Sequence, residues 1–301
     1  MLPPKNIAII GFGEAGTTMA EGCVFGARRS QSALACHAWD LKMLDPRARG
    51  ELEARAASLG VTLHDSPYGW LHEMDVVFSV VHENTAKSVA LDLLPWLRSG
   101  AAYIDLTDSD PDAMRETAEH YAVKNVGFID GTALGSFRAN GITVPFMLSG
   151  TDVEAYSSWM NSLGFAATPI PGGAGKASAL KLLRGALTRG MEALAVECFT
   201  AAERLGLRKT LMLAFNDFDL QPMAAVLERL SLRHGAQCKN KLASLELTLE
   251  LFDKAAINPA MTRAVRDFYA RSAALPQTDE SGDDPSWESC LPAFFTLLDK
   301  E

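Results

Sequence analysis

Asn6-Ile7-Ala8-Ile9-Ile10-Gly11-Phe12-Gly13-Glu14-Ala15-Gly16 decides how the rest of this chain is read. The five residues ahead of Gly11 form a short, mostly apolar run, the composition of a strand buried on both faces of a parallel sheet. Directly behind them comes the pattern G-x-G-x-x-G. Gly11 permits a tight turn, Gly13 lets a pyrophosphate approach the backbone, and Gly16 brings the following helix close to the strand. Phe12, Glu14 and Ala15 complete the loop. Thr17 to Cys23 then continues at helical period, so free N–H groups and the positive dipole end of a helix face the phosphates. A second strand, Leu34 to Trp39, ends at Asp40. An acid at that point accepts hydrogen bonds from ribose hydroxyls and repels a 2′-phosphate, which favours NAD over NADP. Lys42 and Arg28-Arg29 partly offset that repulsion.

Outward from this motif the first half alternates strand and helix. Helices are predicted over Pro46 to Gly60, Thr85 to Leu97, Pro111 to Ala122 and Asp152 to Leu163. Strands are predicted at 61–63, 75–81, 101–105, 126–130, 143–148 and 166–170. Strands separated by helical patterns of this length build βαβ units and a doubly wound parallel sheet. The pattern changes after Pro171-Gly172-Gly173. From Gly175 to Gly206 the periodicity is helical, with Leu180, Leu183, Leu187, Met191, Leu194 and Cys198 on one apolar stripe. A helix of that length spans roughly 45 Å at about 1.5 Å per residue, enough to run from one domain into the next. The expected organisation is therefore an α/β dinucleotide-binding domain over 1–172, followed by an all-α domain over 173–301. Leu275 to Ser289 is acidic and reads as a mobile linker, and Leu291 to Leu298 as an apolar tail docking onto a partner surface.

Composition narrows the function classes. Of 301 residues, 48% are hydrophobic and 22% charged, and the formal net charge is −9. That charge argues against a protein that grips a phosphate backbone, which needs a basic face. No apolar run approaches membrane-spanning length. The N-terminus leads directly into the first strand and leaves no room for a signal peptide. The five cysteines are scattered and form no C-x-x-C, and His64 and His72 have no acidic partner at metal spacing. A cytoplasmic protein without structural disulfides or a bound metal is expected.

Three landmarks carry a resemblance. The first is Gly11 to Gly16 with Met19-Ala20. The second is Asp130-Gly131-Thr132-Ala133-Leu134-Gly135-Ser136. The third is Gly172-Gly173-Ala174-Gly175-Lys176-Ala177-Ser178-Ala179-Leu180-Lys181. Together, over roughly residues 5–270, the chain resembles the β-hydroxyacid dehydrogenase superfamily, which includes 3-hydroxyisobutyrate and 6-phosphogluconate dehydrogenases. The stretches 144–150 and 234–252 look most like a little-characterised branch labelled phosphogluconate dehydrogenase-like, with a C-terminal domain of unknown function. The resemblance implies a substrate segment at 130–136 and a catalytic lysine at Lys181. It also implies a homodimer whose helical halves interlock.

Two positions depart from the family pattern: its substrate-segment serine is Leu134 here, and its asparagine three residues after the lysine is Arg184. The chemistry therefore transfers more firmly than any particular substrate. Oxidising an alcohol to a carbonyl needs a hydride acceptor, which the nicotinamide supplies, and a group that takes the hydroxyl proton. A lysine at its ordinary pKa is a poor base near neutrality, and burial lowers it toward the working range. Lys181 is the candidate acid/base. Arg184 shares its helix face and suits a carboxylate or phosphate on a small anionic substrate. A structural ion pair is the competing reading of Arg184. Gly135, Ser136 and Thr132 are candidate substrate donors. Val80, Val81, His82 and Thr107, at the carboxyl ends of two strands, are expected to edge the nicotinamide. An imine reductase shares this architecture, and a non-catalytic dinucleotide-binding regulator remains the reading outside enzymes.

Overall fold

β1 (Asn6–Ile10) is the central strand that its apolar run predicts, with Ile7, Ala8, Ile9 and Ile10 all fully buried. Successive side chains of a strand point to opposite faces, and here both faces are covered. Ile7 and Ile9 pack with Met19 and Cys23 of α1 (Glu14–Arg29), Leu52 and Ala56 of α2 (Pro46–Leu59), and Met160 near the chain's later strands. Ala8 and Ile10 pack on the other face with Leu71, Leu93 and Tyr121. Two cores separated by one sheet follow directly from the alternation. The computed structural model describes residues 3–107, 109–216, 218–275 and 285–299. The greater part of the acidic stretch read as a linker lies outside the described residues.

The elements follow in order β2 (Ala35–Trp39), β3 (Thr62–Leu63), β4 (Val76–Ser79), α3 (Ala86–Leu93), β5 (Ala102–Asp105), α4 (Pro111–Val123), β6 (Gly127–Ala133), α5 (Phe137–Asn140), β7 (Pro145–Gly150), α6 (Val153–Ser162) and β8 (Ala166–Pro169). They form one eight-stranded sheet in the order β3-β2-β1-β4-β5-β6-β7-β8. The first six strands are parallel, as the alternation predicts. β7 is the exception: it runs antiparallel to β6, and β8 then runs parallel to β7. A parallel return needs a crossover of a dozen or more residues, usually a full helix. Residues 134–144 hold only the four-residue α5 and a 3-10 turn, so the chain doubles back instead. That return also lengthens β6 beyond its predicted end at Asp130, because Thr132 and Ala133 pair with Met147 and Phe146.

The chain divides into two units, Met1–Gly185 and Ala186–Glu301. The boundary falls inside α7 (Lys176–Arg204), whose first turns belong with the sheet. The second unit is helical, with α8 (Arg208–Leu213), α9 (Met223–Leu232), α10 (His234–Lys254), α11 (Ala260–Ala274) and α12 (Trp287–Leu298). Within it, Glu197 accepts the N–H groups of Met261 (2.6 Å) and Thr262 (3.0 Å) and so caps α11. His234 is buried beside Phe268 and Tyr269 and hydrogen-bonds Ser272 at 2.8 Å. The first part of the stripe along α7 is exposed in the single chain, Leu183 at 71% and Leu187 at 47%, while Leu194 and Cys198 are partly buried. All five cysteines are free thiols.

Candidate dinucleotide site

The glycine loop is fixed by sterics at two of its glycines and left open at the third. Gly11 has φ +92°, and a Cβ there would lie 2.3 Å from the Val80 carbonyl oxygen. A Cβ at Gly16 would lie 1.8 Å from the Gly11 carbonyl oxygen, so helix and turn touch backbone to backbone. A Cβ at Gly13 would meet nothing within 4 Å. Gly13 is the N-cap of α1 and offers no side-chain acceptor. The N–H groups of Glu14, Ala15 and Gly16 stand in the first turn, where an α-helix has no internal partner for them. Open space over Gly13 and free donors behind it form a cradle for a diphosphate.

Asp40, although 8% exposed, is wired into this loop: Oδ2 accepts the Phe12 N–H at 2.7 Å and Oδ1 the Lys42 N–H at 2.8 Å. The Phe12 side chain is fully buried, and its carbonyl accepts from Arg55 Nη1 at 3.2 Å. Arg55 gave no signal in the sequence, since it meets the loop from 43 residues away. Val80 continues the ladder from β4, its N–H donating to the Ile10 carbonyl at 2.8 Å. The Val81 N–H donates to Thr107 Oγ1 at 3.3 Å, bringing the ends of β4 and β5 together beside the loop. His82 is exposed, and its Nδ1 accepts the Asn84 N–H at 3.4 Å.

Strands β5 and β6 supply the acidic groups. Asp105 is buried at the end of β5 and accepts the Thr107 N–H at 2.9 Å. Burial pushes its carboxyl up to about 7, and neighbouring Asp130 adds to that. Asp130 pairs with it across β5 and β6 and is itself fully buried. Asp130 Oδ2 accepts the N–H groups of Gly175 (2.8 Å) and Ser178 (3.1 Å), and its Oδ1 accepts the Ser178 hydroxyl at 2.6 Å. Thr132 is buried in β6, whereas Gly135 and Ser136 are exposed beyond it. Lys181 is half-buried on α7, and its Nζ donates to the Ala133 carbonyl at 3.2 Å. Arg184 is exposed one turn further on. The fold thus brings the loop, Asp40, Val80, Val81 and Thr107 to one group, and Lys181 to the end of β6 next to Thr132.

Comparison with known proteins places the fold. The chain is similar over its full length to a conserved hypothetical protein from Sinorhizobium meliloti 1021, with 28% identity, 98% of this chain and 97% of that one covered, and a TM-score of 0.61. A conserved protein of unknown function, described as structurally similar to 3-hydroxyacid dehydrogenases, shares 24% identity over 89% and 96% of the two chains, with a TM-score of 0.58. The imine reductase from Myxococcus stipitatus shares the fold at 16% identity. Its variant complex with NAD+ covers 98% of this chain and 100% of that one (TM-score 0.70), and its complex with NADP+ covers 96% and 99% (TM-score 0.71). No curated protein matches the chain. Residues 6–170, more than half of the chain, match the model of the NAD-binding domain of 6-phosphogluconate dehydrogenase, and to that family this protein belongs.

Proposed function

We propose that this protein is a nicotinamide-dependent oxidoreductase acting on a small anionic β-hydroxy acid or sugar acid, with Lys181 as general acid/base. The observation that carries the reading is the hydrogen bond from Lys181 Nζ to the Ala133 carbonyl, which sets an amine at the end of β6 beside Thr132. In this reading, residues 1–172 bind the dinucleotide and 173–301 supply the substrate and dimerisation surfaces. A nicotinamide held at the glycine loop would supply the hydride acceptor. Lys181 takes the hydroxyl proton, or returns it to the carbonyl oxygen in the reverse direction. Thr132, Gly135 and Ser136 orient the substrate, and Arg184 receives its acid group. NAD is preferred over NADP because the Asp40 carboxylate, anchored on the Phe12 N–H, faces any 2′-phosphate with like charge. The free thiols suit a cytoplasmic location; among the described residues no helix is long and apolar enough to cross a membrane.

The test has two arms. Nicotinamide fluorescence titrations with NADH and NADPH read the cofactor choice, and Asp40→Ala narrows or inverts the gap. Tighter NADPH binding by the unchanged protein overturns the preference. A panel of hydroxy acids, sugar acids and cyclic imines then reads the reaction. Lys181→Ala lowers turnover of the substrate found by at least about 10²-fold and leaves NADH affinity nearly unchanged. Turnover of imines alone overturns the hydroxy-acid reading, and binding of NADH without turnover of any panel member favours the regulator.

A further inference from the structure

Strand β6 grips the start of α7 through a carboxylate supplied from far away in the chain. N–H groups in the first turn of a helix lack internal partners, and the residue just ahead of the helix usually accepts them. In α7 the acceptor is Asp130, 45 and 48 residues upstream of Gly175 and Ser178. Ser149 on β7, its cross-strand partner, joins the same cluster: its hydroxyl donates to Oδ2 at 3.3 Å and its oxygen accepts the Ala177 N–H at 3.1 Å. Gly175 has φ +94°, and a Cβ there would lie 2.5 Å from the Pro111 carbonyl oxygen, so α4 closes the cluster from the other side. α1 is the contrast, with its N-terminus lacking any side-chain cap.

Backbone N–H groups lie close to the helix axis and resist its rotation through a short lever. The Ser178 hydroxyl lies further from the axis and, held at 2.6 Å by Oδ1, adds a longer one. Lys181 follows Ser178 by three residues and so shares its face. Three residues along β6 from Asp130, the Ala133 carbonyl accepts from that lysine. The same two elements are therefore tied at 130 with 178 and at 133 with 181.

We infer that Asp130 is the positioning residue for Lys181: its carboxylate fixes the axial rotation of α7 and thereby the point at which the lysine amine is presented. The functional meaning rests on Lys181 as the proton-transfer group, while the geometry does not.

The test reads the lysine directly. Ser178→Ala removes only the off-axis hydroxyl, and Asp130→Asn keeps the shape but converts one acceptor atom to a donor. Each variant is labelled with limiting acetic anhydride from pH 6 to 11, and modification at residue 181 is followed by mass spectrometry, with Lys87 and Lys124 as internal standards. The expected result is a change of at least about threefold in Lys181 labelling at neutral pH in both variants, with the standards unchanged and NADH affinity within about twofold. An unchanged Lys181 profile in Ser178→Ala overturns the inference, as does a parallel rise at all lysines, which marks general loosening. If Asp130→Asn fails to fold, Ser178→Ala alone decides. Lys181→Arg with full turnover removes the catalytic reading of the lysine and leaves the labelling result standing.

Discussion

At the scale of a residue, Asp105 has the clearest solution consequence. It is buried at the end of β5, and burial, reinforced by Asp130, lifts its carboxyl from an ordinary 3.8 to about 7. The folded state therefore holds this proton over a range in which the unfolded chain has lost it. Stability contributed by the group is present below the unfolded value and falls as pH rises from about 4 to about 7. Across that interval the loss is on the order of 4 kcal/mol at most. Asn in its place keeps an acceptor for the Thr107 N–H and carries no charge to desolvate. Asp105→Asn should melt close to the parent at pH 5 and a few degrees above it at pH 8. Thermal melts of the two proteins across pH 5–8 check this, and parallel curves would show that Asp105 is charged throughout. Nothing in the local sequence marks this carboxyl. Its environment is made by burial in the assembled sheet, with a smaller contribution from Asp130, which the register of β5 on β6 sets opposite it.

At the scale of an element, the loop from β1 to α1 separates two kinds of glycine. Gly11 and Gly16 are excluded from carrying a side chain by backbone atoms already present, and Gly13 by nothing in the protein. Gly13→Ala, at φ −76° and ψ −156°, is an ordinary conformation for alanine, so the protein should fold with stability within about 1 kcal/mol of the parent. Its methyl group would stand in the space a pyrophosphate needs, and NADH affinity should fall by at least about tenfold, roughly 1.4 kcal/mol. Gly11→Ala should instead destabilise the fold, by about 1–3 kcal/mol for the strained backbone alone. Calorimetry with a paired NADH titration distinguishes them, and parental NADH binding by Gly13→Ala would move the diphosphate elsewhere. This loop was legible in the sequence because its determinants are contiguous, as were the parallel strands with their intervening helices. The direction of β7 was not, since it depends on how far α5 carries the chain. The capping of α7 was hidden for a related reason: the sequence places Asp130 at the end of a strand and Ser178 in a helix, and their bond spans 48 residues.

At the scale of the whole molecule, the second unit and α7 leave much apolar surface uncovered. Leu183, Leu213, Leu220, Leu247, Phe295 and Leu298 are all exposed in the single chain. We expect a homodimer burying well over about 2,000 Å², in the range of obligate interfaces. Sedimentation equilibrium at micromolar concentration should return twice the 32.5 kDa chain mass, and a mass near a single chain would refute the dimer. The two rims of the sheet bear on how such an assembly can form. One ends in β3, two residues long, and the other in β8, which closes on Pro169. An open strand recruits a neighbour through its row of unpaired amides, and brevity and proline both blunt that template. Both rims thereby disfavour copies of this chain continuing one another's sheets, the route that leads to fibres, which leaves the helix faces to carry the expected dimer.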